Sequence, residues 1–315
     1  MRHRARVLTL LAGFLVLGLV PVVAAVVNQP FYLDLFRRIM IFAIAAVSLD
    51  LILGFGGMVS FGHAAYLGIG AYAVAIPAFY GLHNGVVQWL LAIALSGLVA
   101  LAIGAVSLRT SGVSFIMITL AFTQMLYYLG ISIDAWGADD GMRLARRSDF
   151  GRVLDLTNAY VFYYVVFAVL VVLLGLGRRL IDARFGVVIC SARSNEVRMR
   201  AIGFSTFRYK LTAFAIAGAV CGLAGALLAN QTEYLTPSYM HWTRSGDIMV
   251  MVILGGMGTL GGPVLGAAAF LLLENVLSAW TVHWQAILGP LLVLVVLYAR
   301  GGLWGLLRGR SSRDG

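Results

Sequence analysis

Between Leu51 and Leu108 the chain runs for 58 residues without an Asp, Glu, Lys or Arg. A helix needs about 20 mainly apolar residues to cross the hydrocarbon core of a bilayer, and soluble cores do not supply uncharged runs of this length. Further uncharged runs of 22 to 27 residues cover Val7 to Leu33, Thr110 to Ile133, Leu156 to Gly177, Leu211 to Thr232, Ile248 to Leu273 and Asn275 to Ala299. Composition agrees: 61% of residues are hydrophobic and 11% charged, where soluble domains carry about 45–50% and about 25%. The expected fold is all-α, a polytopic membrane helical bundle. The longest polar stretches are 134–155 and 178–210, too short for a second folded domain. The whole chain, 1–315, is therefore expected to be a single transmembrane domain, and an attached enzyme domain is excluded.

Counting along the chain gives about ten spans (nine to ten), near 7–27, 35–54, 60–80, 86–107, 113–132, 159–177, 210–230, 246–258, 262–280 and 285–299. The stretch 246–258 is too short at about 1.5 Å per residue to cross a bilayer core of about 30 Å, so it is expected either to span as a broken helix or to be re-entrant. Net charge is +10, and loops that keep Lys and Arg stay cytoplasmic. The segment 178–210 carries eight cations against two acids and is expected inside; 134–155 carries four Arg against five Asp and is expected outside. Arg2, Arg4 and Arg6 precede the first span, and Arg300, Arg308, Arg310 and Arg313 follow the last. Both termini are expected to be cytoplasmic. Arg37 and Arg38, at an outer end, run against the rule and are expected to snorkel to the headgroups.

At an offset of 199 residues, Gly56-Gly57-Met58-Val59-Ser60-Phe61-Gly62 lies over Gly255-Gly256-Met257-Gly258-Thr259-Leu260-Gly261, with four identities and Ser60 over Thr259. Glycine-broken helices in repeated halves are a feature of transporters, because unwound backbone there lines a path. Gly57 and Gly256 are expected to behave alike on substitution. The pairs Gly218/Gly222 and Gly262/Gly266 have the spacing of close helix packing. Asp50, Asp247 and Glu274 are ionisable groups in or near spans, which makes them candidates for function, although Asp247 is close enough to an outer edge to be ordinary. The bland alternative for Asp50 is a hydrated carboxylate, or one paired with an Arg of an adjacent loop. His63 is either a proton carrier or a polar tip at the interface.

No catalytic residue is identified. The only lysine, Lys210, is not in a phosphate-binding loop, and no His or Cys spacing suits a metal. Cys190 and Cys221 are expected as free thiols. If ATP drives this chain, another chain hydrolyses it. In the basic segment, Asn195 is a good N-cap, Glu196 and Arg200 form an i, i+4 pair and Gly203 is a stop. A short surface helix is expected there, with Val197, Ala201 and Ile202 on its apolar side.

That segment resembles the cytoplasmic loop of the LivM-type permeases of branched-chain amino acid ABC importers, in Phe185-Gly186, Arg193-Ser194-Asn195-Glu196 and Arg200-Ala201-Ile202-Gly203. The stretch from Leu53 to Tyr72, the run Ile118 to Met125, Leu254 to Leu265 and the closing Arg300 to Gly305 are similar to further motifs of that family, in the same order. Two departures stand out: Asp50 occupies a position that is generally Asn, and Trp136 to Gly141 replaces a more usual TGG-DG loop.

The resemblance implies a permease subunit of an ABC importer in a bacterial inner membrane, forming the path for branched-chain or related amino acids. Implied partners are a LivH-type permease, two ATP-binding cassette ATPases and an extracytoplasmic binding protein, beside the bilayer itself and without nucleic acid. The chain carries no cofactor of its own, since ATP is bound by the ATPases, and no metal. The coupling loop, 178–210, is expected to dock an ATPase through Arg193, Asn195, Glu196, Arg198, Arg200, Ala201 and Gly203. Translocation and gating are assigned to Asp50, Gly56, Gly57, Ser60, Gly62, His63, Gly255, Gly256, Thr259 and Gly261. An importer for urea or other amides, and an ion-coupled secondary transporter using Asp50 or Glu274, are the alternatives.

Overall fold

Pro30 fixes the backbone at the start of the first long helix, where its missing N–H costs nothing. The computed structural model describes residues 17–22, 24–25, 29–151, 154–298 and 301–307. Helix α1 (Pro30–Asp50) continues into a π-helical turn, Leu51–Phe55, and is followed by α2 (His63–Phe79), α3 (Gly85–Ser107) and α4 (Val113–Ile131). After the loop 132–158 come α5 (Ala159–Asp182), α6 (Arg184–Ser194), α7 (Glu196–Ala201) and α8 (Thr206–Thr232). The chain continues with α9 (Trp242–Gly255), α10 (Gly262–Trp280), α11 (Trp284–Tyr298) and α12 (Gly302–Leu307). A two-residue ribbon, Met142–Arg143 antiparallel to Tyr234–Leu235, is the sheet among the described residues.

Among the described residues, six helical stretches are long and apolar enough to cross a membrane: Pro30–Phe55, Gly85–Ser107, Val113–Ile131, Ala159–Asp182, Thr206–Thr232 and Gly262–Trp280. The chain is an all-α polytopic membrane protein. The expected span at 60–80 corresponds to the 17-residue α2, and the one at 285–299 to α11. The expected span at 7–27 lies largely outside the described residues. In place of 246–258 the helix is α9, which begins four residues earlier and has 14 residues. At about 1.5 Å each its length is about 21 Å, short of a bilayer core.

The interior is built around α8, against which α1, α2 and α3 pack. Small residues make this possible, because in lipid helices gain by close backbone approach rather than by hiding apolar surface. Gly225 lies against the backbone of Leu67 and Gly222 against Ser96, whose hydroxyl donates to the Tyr66 carbonyl at 3.1 Å. A methyl group at either glycine would overlap those atoms. From Ile39 to Asp50 every residue of α1 is buried, as expected of a helix that is apolar all round. By contrast α4 exposes Met117, Met125, Tyr128 and Leu129. An apolar outer surface of this kind suits a bilayer or a second membrane subunit.

At the end of the bundle opposite α6 and α7, the loop 132–158 is tied down by polar groups. The Ser148 amide donates to Asn230 at 2.7 Å and its hydroxyl to Gln88 at 2.6 Å. Arg37 corrects the snorkelling expectation. Its side chain is buried, paired with Asp34, and lies 4.8 Å from the ring centroid of Phe162, over which Arg147 also sits at 5.4 Å. A guanidinium stacked on a ring and paired with a carboxylate has no need of headgroups.

Candidate functional site

Helix α1 ends where its ladder widens to a π turn and then stops at Gly56, leaving residues 57–62 outside any helix. Backbone freed in this way must find other partners at membrane depth. The Phe61 peptide finds three. Its N–H donates to the Thr119 hydroxyl at 3.2 Å, and its carbonyl accepts from Thr123 at 3.1 Å and from Ser245 at 2.7 Å. Ser245 in turn accepts from the Ala64 amide at 2.9 Å, and Ser60 accepts from the Gly62 amide at 3.1 Å. Hydroxyls of α4 and α9 thus stand in for the missing turn of helix.

The second glycine cluster repeats the backbone course of the first. Gly57 has φ +68 and Gly256, 199 residues on, has φ +115. Gly62 (φ −81, ψ −13) caps α2, and Gly261 (φ −88, ψ −21), at the same offset, caps α10. Thr259 donates to the Gly256 carbonyl at 2.7 Å and accepts from the Gly262 amide at 3.2 Å. The match in turn, cap and helix start is stronger support for an internal repeat than four identities in a glycine-rich chain.

These two turns meet. A carboxylate oxygen of Asp50 accepts from the Gly258 amide at 2.8 Å; Gly54 lies so close to Asp50 and to the Gly258 amide that it has no room for a side chain, and Gly258 holds a left-handed backbone at φ +73. Asp50 is 1% exposed. Of its two bland readings, hydration is overturned, while the loop arginine is present: Arg193 donates to the Gly54 carbonyl and its aliphatic stem covers Gly57. His63 is fully buried, edge-on to Tyr66 with ring centroids 5.6 Å apart. It is no polar tip at an interface.

The basic segment folds largely as its sequence reads. Asn195 caps α7 by accepting from the Arg198 amide at 2.9 Å, Glu196 pairs with Arg200 at 2.6 Å, and Gly203 adopts φ +97 just after the helix. Val197 and Ile202 are exposed, Val197 at 79%. Sequence reasoning missed two features. A separate helix, α6, carries Arg193, and Glu196 also accepts from Lys210 at 2.5 Å and Thr206 at 3.0 Å, tying α7 to the start of α8. Partial burial works against ionisation of Glu196, but the bonds from Lys210, Arg200 and Thr206 outweigh it and hold the carboxyl down at about 2. Between this segment and the first glycine turn lies a cavity of about 430 Å³ lined by Gly57, Arg109, Gly112, Arg193, Glu196 and Lys210.

The structure therefore brings Arg193, Asp50, Gly57 and the Gly258 turn into one cluster and leaves Arg198 and Ala201 on the outer surface of α7. Glu274 stands apart, paired with Arg38 at 3.3 Å.

The family model described as branched-chain amino acid transport system, permease component, matches residues 31–299. The chain belongs to that family. Within it, the LivM high-affinity branched-chain amino acid transport permease of Escherichia coli K12 is 28% identical over 302 residues, covering 87% of this chain and 70% of the relative. A probable LivM permease of Methanocaldococcus jannaschii is 22% identical over 330 residues, 86% of this chain and 93% of the relative. The XylH xylose transport permease of Escherichia coli K12 is 33% identical over 120 residues, 36% of this chain and 30% of the relative. No solved structure matches the chain. This permease family places the glycine turns and the basic segment in a transport component.

Proposed function

We propose that the chain is one permease subunit of an ABC importer in a bacterial inner membrane, and that it forms half of the path for branched-chain amino acids. Its partners on this reading are a LivH-type permease, two ATPase subunits that bind ATP, and an extracytoplasmic binding protein. The permease relatives support the cargo class. The observation that carries the mechanism is the bond from Arg193 to the Gly54 carbonyl, because it joins the segment expected to dock an ATPase to the place where α1 is broken. Movement of α6 and α7 under an ATPase would pull on Gly54, and through Asp50 and Gly258 on the second turn. Glycine at these positions lets the backbone take angles that a side chain forbids, so the turns are where bending costs least. The cytoplasmic placement of 178–210 and of both termini follows from the cation asymmetry.

The test is uptake by the complex reconstituted in vesicles with the binding protein outside. Import of leucine that requires internal ATP and ignores collapsed ion gradients supports this reading. Uptake that follows an ion gradient without ATP selects a secondary transporter, and import of urea with no import of leucine moves the cargo to amides.

A further inference from the structure

Two ion pairs lie on α1, α9 and α10, beside their uncharged stretches, and take no part in the cluster around Gly54. Arg38 pairs with Glu274 at 3.3 Å, and Arg244 with Asp247 at 3.3 Å. Glu274 is six residues before the end of α10 and Arg38 eight after the start of α1, about 9 and 12 Å in from the helix ends at 1.5 Å per residue. The three helices pack against one another, and Asp247 feels the charges of both Glu274 and Arg38. The result is one patch with two cations and two carboxylates.

The patch is not sealed. Side-chain exposure is 40% for Arg38, 38% for Arg244, 35% for Asp247 and 19% for Glu274. Charges at that depth are too costly to face hydrocarbon, so a charged surface open on one side faces water or another protein. The pairs are also slack. Each is joined at 3.3 Å, longer than the roughly 2.7–2.9 Å usual for a charge-assisted bond, and the Arg38 guanidinium also lies 5.8 Å from the ring centroid of Phe42. A small solute with one ammonium and one carboxylate group complements two such pairs, whereas a neutral polyol or urea does not.

We propose that Arg38, Arg244, Asp247 and Glu274 line a water-filled path and receive the carboxylate and ammonium groups of a zwitterionic α-amino acid. This rests on the reading of the chain as an amino acid permease and adds to it the face that meets the cargo.

Thr243 is exposed and one turn before Asp247 on the same face of α9. The experiment introduces Thr243→Cys in the assembled importer, with Cys190→Ser and Cys221→Ala, and follows labelling by a membrane-impermeant methanethiosulfonate from the extracytoplasmic side. The expected result is labelling that leucine at ten times its Kd slows about tenfold, with no slowing by isopentylamine or 4-methylpentanoate, which each carry one of the two charges. With Arg38→Gln and Glu274→Gln added, labelling should persist and the protection by leucine should vanish. A thiol reactive in the isolated chain but silent in the importer would place the patch in a subunit interface and overturn the proposal. Labelling that no amino acid slows would overturn it as well. Leucine uptake by the unmodified importer tests the parent reading separately: protection by another α-amino acid without leucine transport would leave the patch assigned and the cargo corrected.

Discussion

Asp50 and Gly258, 208 residues apart in sequence, are joined by a 2.8 Å bond from the glycine amide to the carboxylate. The bond needs an acceptor, not a charge. Asp50→Asn is expected to keep assembly and uptake near wild type, since the amide oxygen accepts equally. Asp50→Leu leaves a buried amide without a partner and is expected to cost about 1–3 kcal/mol, read as a lower melting temperature of the solubilised protein together with slower uptake. Loss of uptake in Asp50→Asn at normal yield would mean that the proton matters, and would revive ion coupling.

The two glycine turns are expected to differ on substitution, contrary to what their sequence match alone leads one to expect. At Gly57 an added methyl meets the Arg193 side chain at 2.8 Å, which can swing, and a left-handed backbone costs about 1–2 kcal/mol. At Gly256 it meets the Gly301 carbonyl at 2.5 Å, which is backbone. Gly57→Ala should assemble and transport slowly, whereas Gly256→Ala should lose yield. Yield, ATPase rate and uptake measured on the same preparations check this, and equal yields would show that the second turn has slack.

Glu196 gives the segment a pH dependence. Its carboxyl sits at about 2 against an ordinary 4.5, so its ionised form is the one that folding favours. That contribution is complete above about pH 4.5 and fades as pH falls toward 2. Hydrogen exchange at residues 196–204, corrected for intrinsic rates, should show protection dropping as pH falls from about 4.5 to about 2. Glu196→Gln should show weaker protection with no such step.

Orientation is checked with Val197→Cys and Asp140→Cys in intact cells. The first should react only with permeant reagents and the second with impermeant ones. The reverse pattern would detach the ATPase from α7.

Local features were the most legible ones. Asn195, Glu196, Arg200 and Gly203 each act within one turn of chain, so cap, pair and stop appear in the sequence as they do in the fold. The glycine match at offset 199 was visible too, but a match does not say that the copies touch, and the contact of Gly54 with Gly258 arises only from packing. Arg193 reads as one more cation in a basic loop. Nothing within a turn of it signals that its guanidinium reaches the Gly54 carbonyl, 139 residues away. Arg37 was misread because an arginine at a span end ordinarily has headgroups in reach, and the ring that receives it, Phe162, lies on another helix.

The hydroxyl clasp on Phe61 has a bearing on how the permease divides when it moves. Thr119 and Thr123 belong to α4 and Ser245 to α9, and both hold the backbone of Phe61, two residues before α2. A tilt of α2 that left either helix behind would strand a polar group in a medium with no water to replace the bond. The start of α2, the middle of α4 and the first turn of α9 are therefore obliged to travel as one block.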